Sequence, residues 1–431
     1  MSFRSKFSLV VISASLALYA VVGGWISTRA QQPANDPGSQ LRIFESVLQH
    51  IQNDYVDEPN MEKVRAGALR GLAYGLDPYS TYLSADQVKD YKATKPDSLA
   101  GIGAELSQVS SYLYVVAPVK GSPAEIGGVR AGDVIEYIDN KATRDISLYD
   151  AKQLLNGPAG SEVKLRILRA PRAVTLTVKR GNFKVPATEA RLEAGKIGIL
   201  KVNSLASGES ADVKARIQDL QKQGAQKIVL DLRGVAGGAL TEGVTTANLF
   251  IKEGVLAQTV GREGKPLDTY NADPKLTIFN GPVAVLIDTG TAGAAEIVAS
   301  AFSERKRGDI VGEKSFGAGT EQQLFTLRDG DGLLLTTVKW ASASGKAFLG
   351  EDRSHSGVTP TTEVKRPEIA EAVDPEDLNG NDDDALAKPA ANGDKREVAP
   401  EATSPKLQED TQLKKALELL KEKSSSTQKA G

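Results

Sequence analysis

Apolar residues recur at helical spacing in two early stretches. Leu41, Phe44, Val47, Leu48, Ile51 and Tyr55 fall on one face of a helix over Leu41 to Val56. Met61 to Tyr74 repeats the pattern and ends near Gly75. Asp77-Pro78 is a turn initiator, so the chain from Gly75 to Leu83 is expected to leave the helix as a loop. From Leu99 the period changes. Tyr112 to Ala117 and Val163 to Leu168 are β-branched or alternating runs, which predicts strands. Ser122-Pro123-Ala124-Glu125 opens a short helix, Gly132-Asp133 turns the chain, and Leu148 to Leu155 is a second helix. Beyond a connector over Asn182 to Ala194, strands and helices alternate. Ile197 to Val202 and Ile228 to Leu232 are strands flanking a helix over Ser210 to Gln223, and Val283 to Ile287 and Leu333 to Val338 are further buried strands. This alternation predicts an α/β domain with a mainly parallel sheet.

The expected fold class is therefore mixed α/β: N-terminal helices, a β-rich unit, then an α/β core. Seven stretches divide the chain. Residues 1–30 hold Arg4 and Lys6, an apolar run from Phe7 to Ile26, and Ser27 to Ala30. A basic flank before such a run reads as a signal peptide or membrane anchor, since about 20 apolar residues span a bilayer. Thr28-Arg29-Ala30 is a small-x-small site, so cleaved and anchored forms both stay open. Either form places the protein in the cell envelope, on the periplasmic or extracytoplasmic side. A polar spacer (31–40), the helical region (41–98), the β-rich unit (99–181) and the α/β core (182–366) follow. Residues 367–406 are acidic and rich in Pro and Ala, which reads as disorder. In 407–431, Leu413, Ala416, Leu417 and Leu420 share one helical face.

Composition narrows the chemistry. Hydrophobic residues make up 40% and charged residues 25%, ordinary for a globular protein. A formal net charge of -2 gives no global basic field for nucleic acid. With no cysteine there is no disulfide, thiolate zinc site or cysteine nucleophile. Neither of the two histidines, His50 and His355, lies near a nucleophile motif, which argues against a Ser-His-Asp triad. Asn379 to Asp384 lacks the twelve-residue calcium-loop pattern and reads as solvated linker; no metal or cofactor is expected.

Two blocks carry a binding signature. Gly101-Ile102-Gly103-Ala104-Glu105-Leu106 is followed by Ser122-Pro123-Ala124-Glu125-Ile126-Gly127-Gly128-Val129-Arg130-Ala131-Gly132-Asp133-Val134-Ile135. Together they resemble a PDZ domain. A glycine-rich turn presents successive backbone N–H groups able to hold a peptide's terminal carboxylate, and a neighbouring strand edge accepts the peptide as an added strand. Gly101, Ile102, Gly103 and Ala104 are the expected carboxylate loop, with Leu148 and Leu155 on the opposite groove wall. Protein C-terminal peptides are the expected partners.

Three more blocks follow. Asp231-Leu232-Arg233-Gly234-Val235-Ala236-Gly237-Gly238-Ala239-Leu240 is similar to Asp-Leu-Arg-x-Asn-Pro-Gly-Gly-x-Leu of the carboxyl-terminal processing (tail-specific) peptidases. Asp288 to Ile297 resembles that family's nucleophile block, and Val311 to Gln322 its Phe-Gly-Lys-Gly block. Leu76 to Leu83 and the helix after Asp410 match its flanking segments. The resemblance implies a peptidase with a serine nucleophile and a lysine base. It maps the serine to Gly293, the lysine to Ala318 and the helper glutamine to Gln322. The separation, 318 − 293 = 25, equals the family spacing, so neither substitution is a one-residue slip. Gly237, Gly238 and Ala294 map to backbone donors of the oxyanion type. Val235 and Ala236 replace the Asn-Pro that shapes that turn.

Both reacting side chains are therefore missing. Thr291 and Lys314 are the nearby stand-ins; Thr291 is expected to cap the following helix and Lys314 to be a solvated loop charge. Glu296 is expected in a first-turn role at the helix dipole. The reading that follows is an inactive peptidase relative that binds C-termini. An active enzyme with rearranged residues, and a structural subunit forming a homo-oligomer or joining an active paralogue, are the alternatives. Restoring serine at 293 and lysine at 318 is expected to return weak proteolysis if the frame is otherwise intact.

Overall fold

The computed structural model describes residues 37–93, 100–144, 146–169, 172–366 and 410–428. The apolar run 7–26 and the segment 367–406 lie outside them. Among the described residues no helix is long and apolar enough to cross a membrane. The chain forms two compact units, Met1–Ala68 and Leu69–Gly431.

The first unit carries α1 (Pro37–Asp54) and the start of α2 (Met61–Tyr74). Asn60 starts α2 by accepting the Lys63 N–H on its side chain, 2.9 Å away. On α1, Leu41, Ile43 and Val47 stand exposed.

In the second unit the Asp77 turn is closed by its own side chain. Asp77 Oδ1 accepts the N–H groups of Tyr79 and Ser80 at 2.8 and 2.9 Å, and Oδ2 accepts the Ser80 hydroxyl at 2.7 Å. β1 (Thr81–Leu83) and α3 (Ala85–Ala93) follow.

The β-rich domain contains β2 (Ala104–Val109), β3 (Tyr112–Pro118), α4 (Pro123–Ile126), β4 (Val134–Ile138), β5 (Lys141–Ala142), α5 (Leu148–Leu155), β6 (Glu162–Arg169) and β7 (Arg172–Lys179). Ser122 caps α4 by accepting the Glu125 N–H, and Ser147 caps α5 through the Asp150 N–H. The strands run β2-β3-β4-β6-β7 and pair antiparallel, leaving β2 at an edge. Along β6 every second side chain is buried, so Val163, Leu165 and Ile167 enter a core shared with Leu113, Val115, Ile135, Ala151 and Leu155.

The core domain adds β8 (Glu189–Glu193), β9 (Ile197–Lys201), α6 (Glu209–Lys222), β10 (Lys227–Asp231), α7 (Leu240–Asn248), β11 (Val255–Val260), β12 (Pro266–Asn271), β13 (Val283–Ile287), α8 (Ala294–Glu304), β14 (Asp309–Gly312), β15 (Thr320–Thr326), β16 (Gly332–Ser342), β17 (Thr362–Glu363) and α9 (Thr411–Gln428). One sheet runs β17-β14-β13-β10-β9-β8, parallel except for the β8–β9 pair. Its two faces divide the apolar residues by alternation. Ile228, Leu230, Val285 and Ile287 join a cluster with residues of α6, α7 and α8, whereas Val229, Ala284 and Leu286 meet Ala416 and Leu420 of α9. Arg233 anchors α9 by a two-pronged pair to Asp410, at 2.9 and 2.8 Å.

The run Leu333 to Val338 corrects one expectation. It belongs to β16, in a separate antiparallel sheet ordered β1-β16-β11-β12, with β15 also on β16. A tight turn at Arg328–Gly330 joins β15 to β16, and a hairpin makes its strands antiparallel. Most of the strand is only half-buried, so its apolar start misled the reading.

Candidate active-site remnant

Gly293 stands at the turn between β13 and α8. Its φ of 65° and ψ of -118° lie in a region that glycine enters freely and serine enters only under strain. A strand-to-helix turn of this kind is where an elbow nucleophile would sit. A Cβ built on Gly293 would stand 2.8 Å from the Gly237 carbonyl oxygen. That carbonyl also accepts the Ala294 N–H at 3.0 Å, so the expected donor Ala294 is engaged inside the protein.

Glu296, in the first turn of α8, is fully buried. Its carboxylate accepts the Gly293 N–H at 2.9 Å, the Gly317 N–H at 2.7 Å, the Ala318 N–H at 2.8 Å and the Ser315 hydroxyl. One side chain therefore holds the backbone of both Gly293 and Ala318. Burial pushes the Glu296 carboxyl up to about 7, against these hydrogen bonds, which lower it. This role exceeds the first-turn one expected from the sequence.

The stand-in residues lie elsewhere. The Thr291 hydroxyl accepts the Asp288 N–H at 3.0 Å and lies 3.0 Å from the Leu232 carbonyl and 3.1 Å from Asp288 Oδ1. It closes the turn after β13, and the cap position of α8 belongs to Gly293, not to Thr291. Lys314 donates to the carbonyls of Arg353 and Ser354, a tether rather than a free loop charge. Burial and the nearby Arg353 lower its pKa. Asp352, Ser354 and His355 cluster, yet Ser354 and Asp352 both address His355 Nδ1 in an exposed loop. A triad requires the serine and the carboxylate on opposite ring nitrogens.

Gly237, Gly238, Gly293, Ala318 and Gln322 line one cavity of about 280 Å³. Gln322 donates to the Thr320 hydroxyl at 2.7 Å and the Thr336 hydroxyl at 3.3 Å, so it is held by its own sheet. Three lining residues come from elsewhere and went unread in the sequence: Tyr79, Glu105 on β2 and Lys152 on α5. Glu105 and Lys152 face each other at 4.0 Å. β2 and α5 thus each contribute a side chain to the cavity at Gly293 and Ala318.

In the loop before β2, the N–H groups of Ile102 and Gly103 have no acceptor among the described residues, while their carbonyls accept from Ala124 and Val119. Gly103 has a φ of 73°, and any side chain there would collide with Phe183 and Ser122. Gly101 bridges Gly181, and Ala104 begins β2. Leu148 and Leu155 point into the apolar core of the domain, and Lys152 between them reaches the cavity.

A larger cavity of about 850 Å³ lies where the β-rich domain meets the ends of β9 and β10. Arg169, Arg233 and Arg366 line it, paired with Asp133, Asp410 and Asp288 respectively, and Arg130 and Lys201 line it as well.

Comparison with known proteins agrees with this architecture. The model of Peptidase family S41 matches residues 196–364, and a PDZ-domain model matches residues 114–169. The carboxy-terminal processing protease CtpA of Bacillus subtilis is 31% identical over 368 residues, covering 84% of this chain and 78% of that protein. The carboxy-terminal-processing protease of Bartonella bacilliformis is 33% identical over 366 residues, covering 83% and 81%. Among solved structures, a photosystem II D1 C-terminal processing protease superposes with a TM-score of 0.61 at 28% identity, over 75% of this chain and 86% of that one. With a PDZ domain set ahead of an α/β peptidase core, the chain belongs to peptidase family S41, among its carboxy-terminal processing, tail-specific members.

Proposed function

We propose that this chain captures the free C-termini of proteins in the cell envelope and does not hydrolyse them. The observation that carries this reading is a contrast. Two loop N–H groups, of Ile102 and Gly103, have no acceptor among the described residues, while a cavity lined by β2 and the core holds Gly293 and Ala318 where the family resemblance puts a nucleophile and a base. The envelope location rests on the basic flank and apolar run of residues 1–30 and on the similarity to the processing proteases.

The loop recognises a carboxylate, so the end group of the ligand decides binding. A fluorescent peptide with a free C-terminus is expected to bind saturably, and the same peptide ending in an amide to bind about 10- to 100-fold more weakly, the worth of a charge-assisted hydrogen bond. Equal binding of acid and amide by fluorescence anisotropy would remove the carboxylate loop from the account. A second reading, a subunit that assembles with a copy of itself or an active relative, draws on the exposed Leu41, Ile43 and Val47 of α1. Light scattering that reports a monomer at every concentration, alone and with such a relative, would count against it.

A further inference from the structure

The cavity of about 850 Å³ between the PDZ domain and the core has no part in C-terminal capture. It shares no lining residue with the cavity at Gly293 and Ala318. On the core side its wall is built where three parallel strands end. Val202 and Asn203 follow β9, Gly234 and Val235 follow β10, and Asp288 follows β13. The crevice outside the carboxyl ends of the strands is where open α/β sheets take their ligands. On the PDZ side, Pro118 closes β3, and Val129 to Asp133 lead into β4.

The charges on this wall do not cancel. Six basic and four acidic side chains line it. Three of the carboxylates pair with Arg169, Arg233 and Arg366, and the fourth, Glu125, takes Lys120 at 2.6 Å. Arg130 of the PDZ domain and Lys201 at the end of β9 are left over. Neither has an ion pair or a side-chain hydrogen bond among the described residues. The Ala131 N–H, next to Arg130 in the chain, also has no acceptor among them. Arg130 is exposed and Lys201 half-buried, so one can swing onto a ligand while the other is set in the wall. The chain as a whole carries a formal charge of -2, so this local excess of positive charge runs against the background.

Two unmatched cations in one cavity repel each other, and a multivalent anion held by both removes that cost. A guanidinium grips phosphate oxygens through paired N–H donors, and an ammonium adds a point charge. At about 850 Å³ the cavity falls within the span of small-molecule sites, roughly 300–1,000 Å³, with room for more than a bare phosphate. Pro118, Val129 and Val202 offer apolar wall to the rest of such a molecule. We propose that this junction binds a small phosphate-bearing molecule, a phosphate monoester or a diphosphate, with its charge held by Arg130 from the PDZ domain and Lys201 from the core. Bound there, the anion ties the two domains to each other.

The test is isothermal titration calorimetry of the full chain with inorganic pyrophosphate at neutral pH and constant ionic strength. Saturable binding of one pyrophosphate per chain is expected. Arg130→Gln and Lys201→Gln are each expected to weaken it about 10-fold or more, the worth of a charge-assisted hydrogen bond. Lys265→Gln, on the exposed turn before β12, removes the same charge and is expected to leave binding unchanged. A second readout needs no variant and decides where a substitution prevents folding. Pyrophosphate is expected to raise the melting temperature of the wild-type chain, and sodium chloride at the same ionic strength to leave it where it was. Absence of saturable binding, equal binding by all four proteins, or no rise in melting temperature overturns the proposal. Weakening by only one of the Arg130 and Lys201 substitutions places the anion on one domain and overturns the shared site.

Discussion

Peptide turnover by this chain is expected to fall about 10⁶-fold below that of a relative bearing the serine–lysine dyad, the loss seen when a serine protease nucleophile is removed. The measurement is mass spectrometry of an unstructured tail substrate incubated with the purified chain, searched for new termini. The stand-ins do not alter this. Thr291 is buried and held in the Asp288 turn, and Lys314 is tied to the 353–354 carbonyls. Neither lines the cavity at Gly293.

The structure also sharpens what repair requires. Gly293→Ser places a Cβ 2.8 Å from a backbone oxygen, at a φ of 65°. The strain is roughly 1–3 kcal/mol, and the atom in the way cannot rotate aside as a side chain would. The Gly237 carbonyl occupies the space and engages the Ala294 N–H that an oxyanion would need. We therefore expect Gly293→Ser with Ala318→Lys to remain inactive, and cleavage to require Val235→Asn and Ala236→Pro as well, because these two residues lead into the turn at Gly237. Cleavage by the double variant alone would show that the turn needs no rebuilding.

The second large effect concerns Glu296. Its carboxyl is raised from 4.5 to about 7 in the folded protein. A carboxyl raised above its unfolded value costs the fold stability as it ionises, so the penalty is absent below about pH 4.5, grows as pH rises, and is complete above about pH 7. The displacement corresponds to roughly 3 kcal/mol. Glu296→Gln stays neutral at every pH. It also sets an amide NH₂ against the donors of Gly293, Gly317, Ala318 and Ser315, a fixed cost of about 1–3 kcal/mol. Urea unfolding of both proteins between pH 4 and pH 8 is therefore expected to show wild-type stability falling relative to the variant as pH rises. A difference independent of pH would mean that Glu296 does not titrate in that range.

Much of the fold was readable because its signals are local. Leu148 to Leu155 and Val283 to Ile287 are bounded by the residues their patterns indicated, and Ser122 caps the helix it was expected to open. The mainly parallel sheet followed from strand–helix alternation. The separate antiparallel sheet did not, because β1 and β16 are joined by pairing between residues some 250 positions apart, such as Tyr82 with Leu333. The resemblance maps a serine to Gly293 and a lysine to Ala318 by spacing alone, and these two residues line one cavity in the structure. The Gly237 carbonyl, the Glu296 bridge and the entry of Tyr79 into the cavity lining depend on backbone direction and on side chains from three distant stretches. No periodicity encodes these. Glu105 gave the nearest hint, as a charged residue directly after the expected carboxylate loop.

The central claim is capture without cleavage, and one titration reads both halves. A fluorescent peptide with a free C-terminus is titrated with the wild-type chain, and the saturated mixture is then analysed by mass spectrometry after prolonged incubation. The account predicts saturable binding and a peptide recovered whole. Shortened peptide, or the absence of saturation, would contradict it.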